Sequence, residues 1–301
     1  MKQYHFKAIE KCNMCGSQIT ASNLIGKRLN GSQGKNPHKK AGVTTSIMKC
    51  KTCSLIFSNP TPIPFDLQDH YGIPPETYWK NEYFTVDPSY FMQRIIEVRE
   101  IIPLEKGMKT LDIGAGLGKA MKTMEGQGLD AYGIEPSVPF YERAIELMHI
   151  QPDRLTLSAI EDAEFPENFF DFITFGAVLE HLYDPNDSIQ KALSWLKPGG
   201  IIHIEVPSSD WLTHKFINLY YKLRGLDYVG NLSPMHEPYH LYEFGLDSFT
   251  KNGAKLGYSI ARHDYYVCQT FMPKFLDFIL KPYMKRTKKG MQLCVYLQKN
   301  S

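Results

Sequence analysis

The chain has 301 residues, 43% hydrophobic and 13% aromatic, enough to bury one full-sized core with a small accessory module, and this excludes a disordered chain. A formal net charge of +2 excludes a global electrostatic case for nucleic acid or membrane binding, so such a partner has to be read from a local patch. The opening residues MKQYHFKAIEKC lack the apolar run of a signal peptide and no window approaches the roughly 18 apolar residues of a membrane span, so the expectation is a cytoplasmic protein without an integral membrane segment.

Two C-x-x-C pairs lie near the start, Cys12-Asn13-Met14-Cys15 and Cys50-Lys51-Thr52-Cys53. Each forms a knuckle that turns two thiolates toward one centre, and Cys12, Cys15, Cys50 and Cys53 together complete a tetrahedral zinc site. A closed four-sulfur site has no open coordination position, so the zinc is expected to be structural. It would supply on the order of 10 kcal/mol of folding free energy to a zinc-ribbon-like module, residues 1–62, too small for a core of its own. A redox pair is the alternative, and two matched pairs followed by a strand at 54–58 are poor context for it. The 34 residues between the pairs read as a long surface loop. Residues 17–52 hold seven Lys or Arg and no acid, which suits a solvated loop or a contact for an anionic substrate or carrier. Cys268 and Cys294 fall in late apolar strands as small core residues.

Residues 63–103 read as a linker and a leading helix. Five of the 19 prolines fall in 59–75, Y-W-K-N-E-Y-F at 78–84 mixes aromatic and polar residues, and Asp87-Pro88-Ser89 opens a helix to about Ile102.

The stretch 109–135, KTLDIGAGLGKAMKTMEGQGLDAYGIE, spaces a strand at 110–113, a glycine turn (Gly114, Gly116, Gly118), a helix and a second strand at 131–134 that ends on Glu135. The glycines let backbone approach a ligand, and Glu135, 23 residues after Asp112, suits two ribose hydroxyls. Asp112, on the last turn of the first strand, would repel a dinucleotide's pyrophosphate and suits a cationic ligand. L-D-I-G-x-G-x-G followed by G-I-E-P resembles the class I S-adenosylmethionine-dependent methyltransferases, whose cofactor carries an ammonium and a sulfonium. A dehydrogenase or a plain structural βαβ unit is the competing reading.

The resemblance implies an α/β fold over residues 104–301, a Rossmann-like seven-stranded methyltransferase sheet with the small N-terminal zinc-binding module attached. It also implies that a leading helical segment closes over the cofactor, which makes Tyr78, Tyr83 and Arg94 candidate contacts, with packing of the junction as the bland reading. After a helix from Pro136 and Ser137 through Met148 and a short strand at 155–157, Asp162 is expected to face the adenine amino group, with Glu161 as the other choice. The tip of the fourth strand (170–175), Gly176-Ala177, is expected beside the methionine moiety. L-K-P-G-G-I-I-H-I-E-V-P (196–207) reads as a helix end, a Pro-Gly-Gly turn and a fifth strand. Alternating strands and helices predict a parallel doubly wound sheet with ligand at the strands' carboxyl ends. Strands at 258–267 and 291–298 complete seven, with the last pair antiparallel, as in the family.

Methyl transfer from a sulfonium needs alignment and removal of the acceptor's proton, and histidine suits the second task. His181 stands in E-H-L after the fourth strand, where capping or packing a helix is its other reading. His240 lies in H-E-P-Y-H-L-Y-E-F (236–244), and His236 reads as a surface residue or a second polar contact. The cysteine pairs, C-S-L-I-F-S-N-P (53–60), the core and H-L-Y-E-F together resemble zinc-ribbon methyltransferases that modify sugars in bacterial surface-polysaccharide and antibiotic pathways. In the deoxysugar C-methyltransferases of that group, E-H-x-x-Y-F carries the base. His240 takes the histidine's place, but Tyr239 stands where glutamate is expected and Glu243 where tyrosine is. These departures favour oxygen methylation of a sugar or sugar-nucleotide hydroxyl, with His240 as general base. Carbon methylation of a keto-deoxysugar, RNA methylation and a non-catalytic binding protein are the alternatives. Near-neutral charge and the lack of a base-stacking platform weigh against nucleic acid. The insertion 208–238, with Trp211, Tyr220, Tyr221, Lys222 and Arg224, reads as a cap over a sugar ring or phosphorylated carrier, or as a helical hairpin. Residues 281–289 hold five cations in nine positions, a solvated connection or a contact for an anionic lipid carrier or nucleotide diphosphate.

Overall fold

The structure, a computed structural model, describes residues 3–66, 68–71, 81–87 and 89–300. Tyr78, expected to contact the cofactor, lies outside the described residues.

At the N-terminus β1 (Tyr4–Lys7) is followed by β2 (Leu24–Leu29), β3 (Thr44–Lys49), β4 (Ile56–Ser58) and β5 (Thr61–Pro64). β1 and β5 pair antiparallel. The segment between the cysteine pairs, expected as a surface loop, instead folds β2 and β3 into a hairpin. The reason lies in two short runs, LIGKRL and TTSIMK, which put Leu29, Ile47 and Met48 inside and turn Lys27 outward.

Short α1 (Gln68–Tyr71) and α2 (Met92–Arg99) lead into the main sheet. α2 starts later than the D-P-S signal indicates. Phe91 adopts φ 59° at the N-cap and drives its ring against Phe172 (6.4 Å) and His203 (5.8 Å), so tertiary packing sets the start. At the other end Arg99 Nε donates to the Leu104 carbonyl at 3.1 Å, which closes the helix before Ile102.

The chain continues through β6 (Lys109–Ile113), α3 (Lys119–Gly126), β7 (Asp130–Glu135), α4 (Val138–Glu146), β8 (Leu155–Leu157), β9 (Phe170–Gly176), α5 (Pro185–Trp195) and β10 (Leu196–Pro207). Then follow α6 (Leu212–Leu223), β11 (Tyr242–Glu243), α7 (Leu246–Leu256), β12 (Tyr258–Tyr266), α8 (Asp277–Arg286) and β13 (Gln292–Lys299). The seven-stranded order is β12-β13-β10-β9-β6-β7-β8, with β13 antiparallel to both neighbours. Central strands are covered on both faces and read as unbroken apolar runs: Phe170, Phe172, Ile173 and Phe175 of β9 are all 0% exposed. The Pro-Gly-Gly expected to separate helix from strand is an irregularity inside β10, where the register on β9 shifts between Leu196 and Ile201 and Gly199 takes φ 76°. Sequence order reverses where β6 lies between β7 and β9, which opens a crevice at the carboxyl ends.

The N-terminal strands do not form a separate core. β11, from the H-L-Y-E-F segment, pairs with β4 (Tyr242 opposite Phe57), so the small sheet runs β11-β4-β3-β2. One hydrophobic cluster extends from Cys12, Met14 and Phe57 through Leu241 and Phe244 to Ile173 and Ile204 of the large sheet.

Candidate active site

A cleft of 1050 Å³ opens over the tips of β6, β7 and β9. Small-molecule sites run to about 1000 Å³, so there is room for a cofactor and an acceptor together. Its walls include Tyr83, Gly114, Gly116, Glu135, Asp162, Gly176 and His181 from among the expected residues, and Glu161 as well. The glycine turn serves two purposes. Gly114, at φ 71°, packs so closely that a Cβ would stand 2.6 Å from Val178 Cγ2, whereas Gly116, at φ 56°, and Gly176 have open space where a Cβ would be. Side chains at those two positions would fill the cradle a ligand needs.

Glu135 is 5% exposed, and each of its oxygens already accepts a backbone bond, Oε2 from the Gly116 N–H at 2.7 Å and Oε1 from the Ser137 N–H at 2.8 Å. A carboxylate offers about four lone-pair sites, so both oxygens keep capacity for ribose hydroxyls. Asp112 does not line the cleft wall; it lies one residue beneath, buried at 5% exposure. Burial, and then the neighbouring Glu135, push its carboxyl up to about 7, and burial pushes Glu135 up to about 7 against the pull of its two amide bonds. Two adjacent buried carboxyls held at the edge of ionisation are stabilised as anions by an arriving cation, which fits a sulfonium and ammonium ligand and opposes a phosphate.

His181 forms part of the wall, but His240, expected as the base, stands behind it, the two rings 5.0 Å apart and edge-on. His240 Nε2 is 3.9 Å from Glu180 Oε1. Burial and the His181 neighbour press His240 down to about 3, while burial takes His181 to about 4 despite its bond to the Tyr239 carbonyl. Glu180 moves the other way, up to about 8 through burial, and its Oε2 has no hydrogen-bond partner. All three groups therefore favour their neutral forms. Glu180, His181 and His240 place their donor atoms within 4.8 Å of one another.

Other expected contacts fall elsewhere. Arg94 is occupied by Glu97 (3.1 Å), Glu205 (2.9 Å) and Tyr266 (2.6 Å) and is not part of the cleft wall. The insertion 208–238 holds one helix, α6, in place of a helical hairpin, and of this segment Glu237 and Pro238 line the cleft while Trp211, Tyr220, Tyr221, Lys222 and Arg224 do not. Tyr221 instead donates to the Gly34 carbonyl at 2.6 Å, and His236 Nε2 lies 3.5 Å from Arg28. Glu243, at the tyrosine position of the resembling motif, is buried against Asn231 (2.5 Å), Leu232 N (3.0 Å) and His214 (3.2 Å), a structural anchor. Sequence reasoning missed His70 and Tyr239 as wall residues; their rings stack at 4.3 Å, and His70 Nε2 lies 3.1 Å from the Tyr4 hydroxyl. Their separation by 169 positions left no local signal. Among the described residues six acids line the cleft (Glu135, Glu161, Asp162, Asp184, Asp187, Glu237) against two lysines, Lys119 and Lys191.

The cysteine pairs converge as their spacing implies. Cys12 and Cys53 sulfurs are 3.5 Å apart, Cys15 and Cys50 3.6 Å, and all four lie within 4.8 Å of one another. Tetrahedral zinc with bonds of about 2.3 Å sets sulfurs roughly 3.8 Å apart, so the donor set fits this ion. α7 clamps the loops from behind: Ser248 Oγ donates to the Cys53 carbonyl at 2.8 Å and Asn252 Nδ2 to the Met14 carbonyl at 3.0 Å.

Against known proteins, the family described as "Methyltransferase domain" matches residues 84–262, more than half of the chain. Phosphoethanolamine N-methyltransferase 2 of Caenorhabditis elegans is 25% identical over 123 residues, 40% of this chain and 28% of that protein. A tRNA U34 carboxymethyltransferase of Hydrogenovibrio crunogenus is 32% identical over 108 residues, 33% of this chain and 32% of that protein, so the chain spans about a third of either relative. Among solved structures, Haemonchus contortus phosphoethanolamine N-methyltransferase 2 in complex with S-adenosyl-L-methionine is similar at a TM-score of 0.49 and 17% identity, covering 82% of this chain and 63% of that one.

Proposed function

This chain belongs to the methyltransferase-domain family, and from that premise we propose that it transfers a methyl group from S-adenosylmethionine to a hydroxyl of a small neutral acceptor, a sugar or the sugar end of a sugar nucleotide. What carries the reading is the meeting, in one cleft, of the Glu135 carboxylate with His181, behind which stand His240 and the buried Glu180. When bound, the cofactor supplies the methyl as an activated sulfonium, so the protein's work is alignment and proton removal. Glu135 receives the ribose hydroxyls, Asp112 and Glu135 balance the positive charge, and Asp162 or Glu161 takes the adenine amino group. Gly116 and Gly176 leave the floor open for the cofactor's length. At the acceptor side His181, held through its N–H by the Tyr239 carbonyl, is neutral near pH 7 and faces the hydroxyl with its free ring nitrogen, which takes the proton, while His240 and the protonated Glu180 back it from behind. As the carbon–sulfur bond breaks and the carbon–oxygen bond forms, the hydroxyl proton passes to that nitrogen.

The acid-rich lining supports a neutral acceptor over RNA, because the six acids against two lysines among the described residues repel a polyanion. Any diphosphate would lie outside the cleft mouth. The four cysteines hold a structural zinc in this reading. The cytoplasmic, surface-polysaccharide setting implied by the sugar-methyltransferase resemblance belongs to the same proposal. Incubating the protein and S-adenosylmethionine with separate panels of sugars, sugar nucleotides and tRNA, and measuring S-adenosylhomocysteine together with the acceptor's mass, tests it. S-adenosylhomocysteine formed together with the mass of a singly methylated sugar or sugar nucleotide is the expected outcome; turnover with tRNA alone would overturn the acceptor class.

A further inference from the structure

An apolar row at i, i+3, i+4 and i+7 of a helix ordinarily faces the core. α6 carries such a row outward: Phe216, Leu219, Tyr220 and Leu223 are all exposed, Leu223 at 80%. The segment leading into and forming α8 carries another in Phe275, Phe278, Ile279, Pro282 and Tyr283, with Phe278 76% exposed. The opposite side of α8 is the packed one, with Leu280 and Met284 against Trp211 and Leu212.

The two helices adjoin. Thr213 Oγ1 donates to the Thr270 carbonyl at 2.8 Å, the Leu212 N–H reaches the Lys289 carbonyl at 3.3 Å, and Trp211 meets the Phe271 ring edge-on at 5.7 Å. Almost half of the exposed large hydrophobic side chains among the described residues fall on this pair and its approach. A patch of this kind on a protein surface marks an interaction site. The same region is strongly basic: residues 274–289 hold six Lys or Arg against one acid, Asp277, and α6 and its end add Lys215, Lys222 and Arg224.

We propose that this two-helix face docks the protein on an anionic bilayer, its apolar side chains entering the boundary between headgroups and acyl chains and its cations meeting lipid phosphates. Charge complementarity selects this occupant. A second copy related by a twofold axis would set the same cations face to face. A nucleic acid would use the cations and rings, but Leu219, Leu223 and Ile279 offer no π-face to a base. α6 begins just beyond the carboxyl end of β10, so the docking face and the cleft belong to one end of the large sheet. Docking at a surface differs from spanning it: no helix among the described residues is long and apolar enough to cross a membrane. The proposal stands apart from the chemistry of the cleft.

Co-sedimentation of the full chain with vesicles of phosphatidylcholine, with and without phosphatidylglycerol, tests it. Binding is expected to be on the order of tenfold stronger with the anionic vesicles and to fall as salt is raised. The double variants Phe275→Glu with Phe278→Glu, Leu219→Glu with Leu223→Glu, and Lys285→Glu with Arg286→Glu should each lose about tenfold in vesicle binding while keeping the wild-type melting curve, since the altered side chains are exposed. Failure of the wild type to bind anionic vesicles at low salt would overturn the proposal, as would equal binding by all three variants. A mass by light scattering that is dimeric for the wild type and monomeric for the variants would assign the face to a second copy instead, and RNA retention without vesicle binding would assign it to nucleic acid.

Discussion

Glu135 and Asp112 set the electrostatic character of the cleft. Both carboxyls sit near 7 because burial disfavours their ions, and a bound cation reverses that preference. Ligand affinity should therefore rise as pH climbs from about 6 to about 8, since less proton release accompanies binding once the carboxyls are ionised. The sign for the ligand-free fold is opposite: a carboxyl raised in the folded state favours folding below its unfolded pKa, and that contribution is lost as pH rises through about 7. His181 and His240, lowered in the fold, gain stability over about pH 4 to 6.5, so affinity is a cleaner readout than melting temperature. The histidines divide the remaining labour. His181→Ala and His240→Ala should each leave S-adenosylmethionine affinity within a few-fold while turnover falls by on the order of 10². Single-turnover assays beside binding titrations check this, and unchanged turnover in either variant would remove that histidine from the mechanism. From sequence, the E-H-L and H-L-Y-E-F motifs marked both rings as candidates. Their order from the cleft inward was hidden, because it depends on how residues 237–240 fold back over the single helical turn at 179–181, a contact sealed by the Leu241 N–H on the Glu180 carbonyl at 2.8 Å.

Among the elements, β11 couples the cysteine loops to the segment that carries His240. Two residues beyond His240, Tyr242 pairs with Phe57 of β4, and α7, next along the chain, bonds the carbonyls of Met14 and Cys53. Loosening the four-sulfur cluster should thus disturb His240 and, through it, the His181 side of the cleft. Metal analysis is expected to find one zinc per chain, and Cys12→Ser or strong chelation should lower the melting temperature and turnover together; metal-free protein with wild-type stability would refute a structural zinc. The pairing of β11 with β4 had no sequence signal, since two residues make too short a run to read as a strand. Long buried strands were legible for the opposite reason. Phe170 to Phe175 is apolar enough to declare itself without its partners, whereas the β2 and β3 hairpin was obscured by seven cations spread over a polar segment.

For the whole molecule, the sheet order and the cleft at its switch point follow from the alternation of elements, and the glycine turn and Glu135 lie in the wall of that cleft. What escaped the sequence was assembly at long range: the shared core between the N-terminal strands and the main sheet, the His70 and Tyr239 wall, and the outward face of α6 and α8. Periodicity gives the spacing of an apolar row but not the side of the helix that finds a partner. The central claim, a cationic methyl donor held over the first two strand tips by buried carboxylates, is tested most directly by isothermal titration of S-adenosylmethionine into the wild type and Glu135→Ala. Saturable one-to-one uptake by the wild type is expected, weakened by on the order of 10² in the variant. No uptake by the wild type, or equal affinity in both proteins, would contradict it.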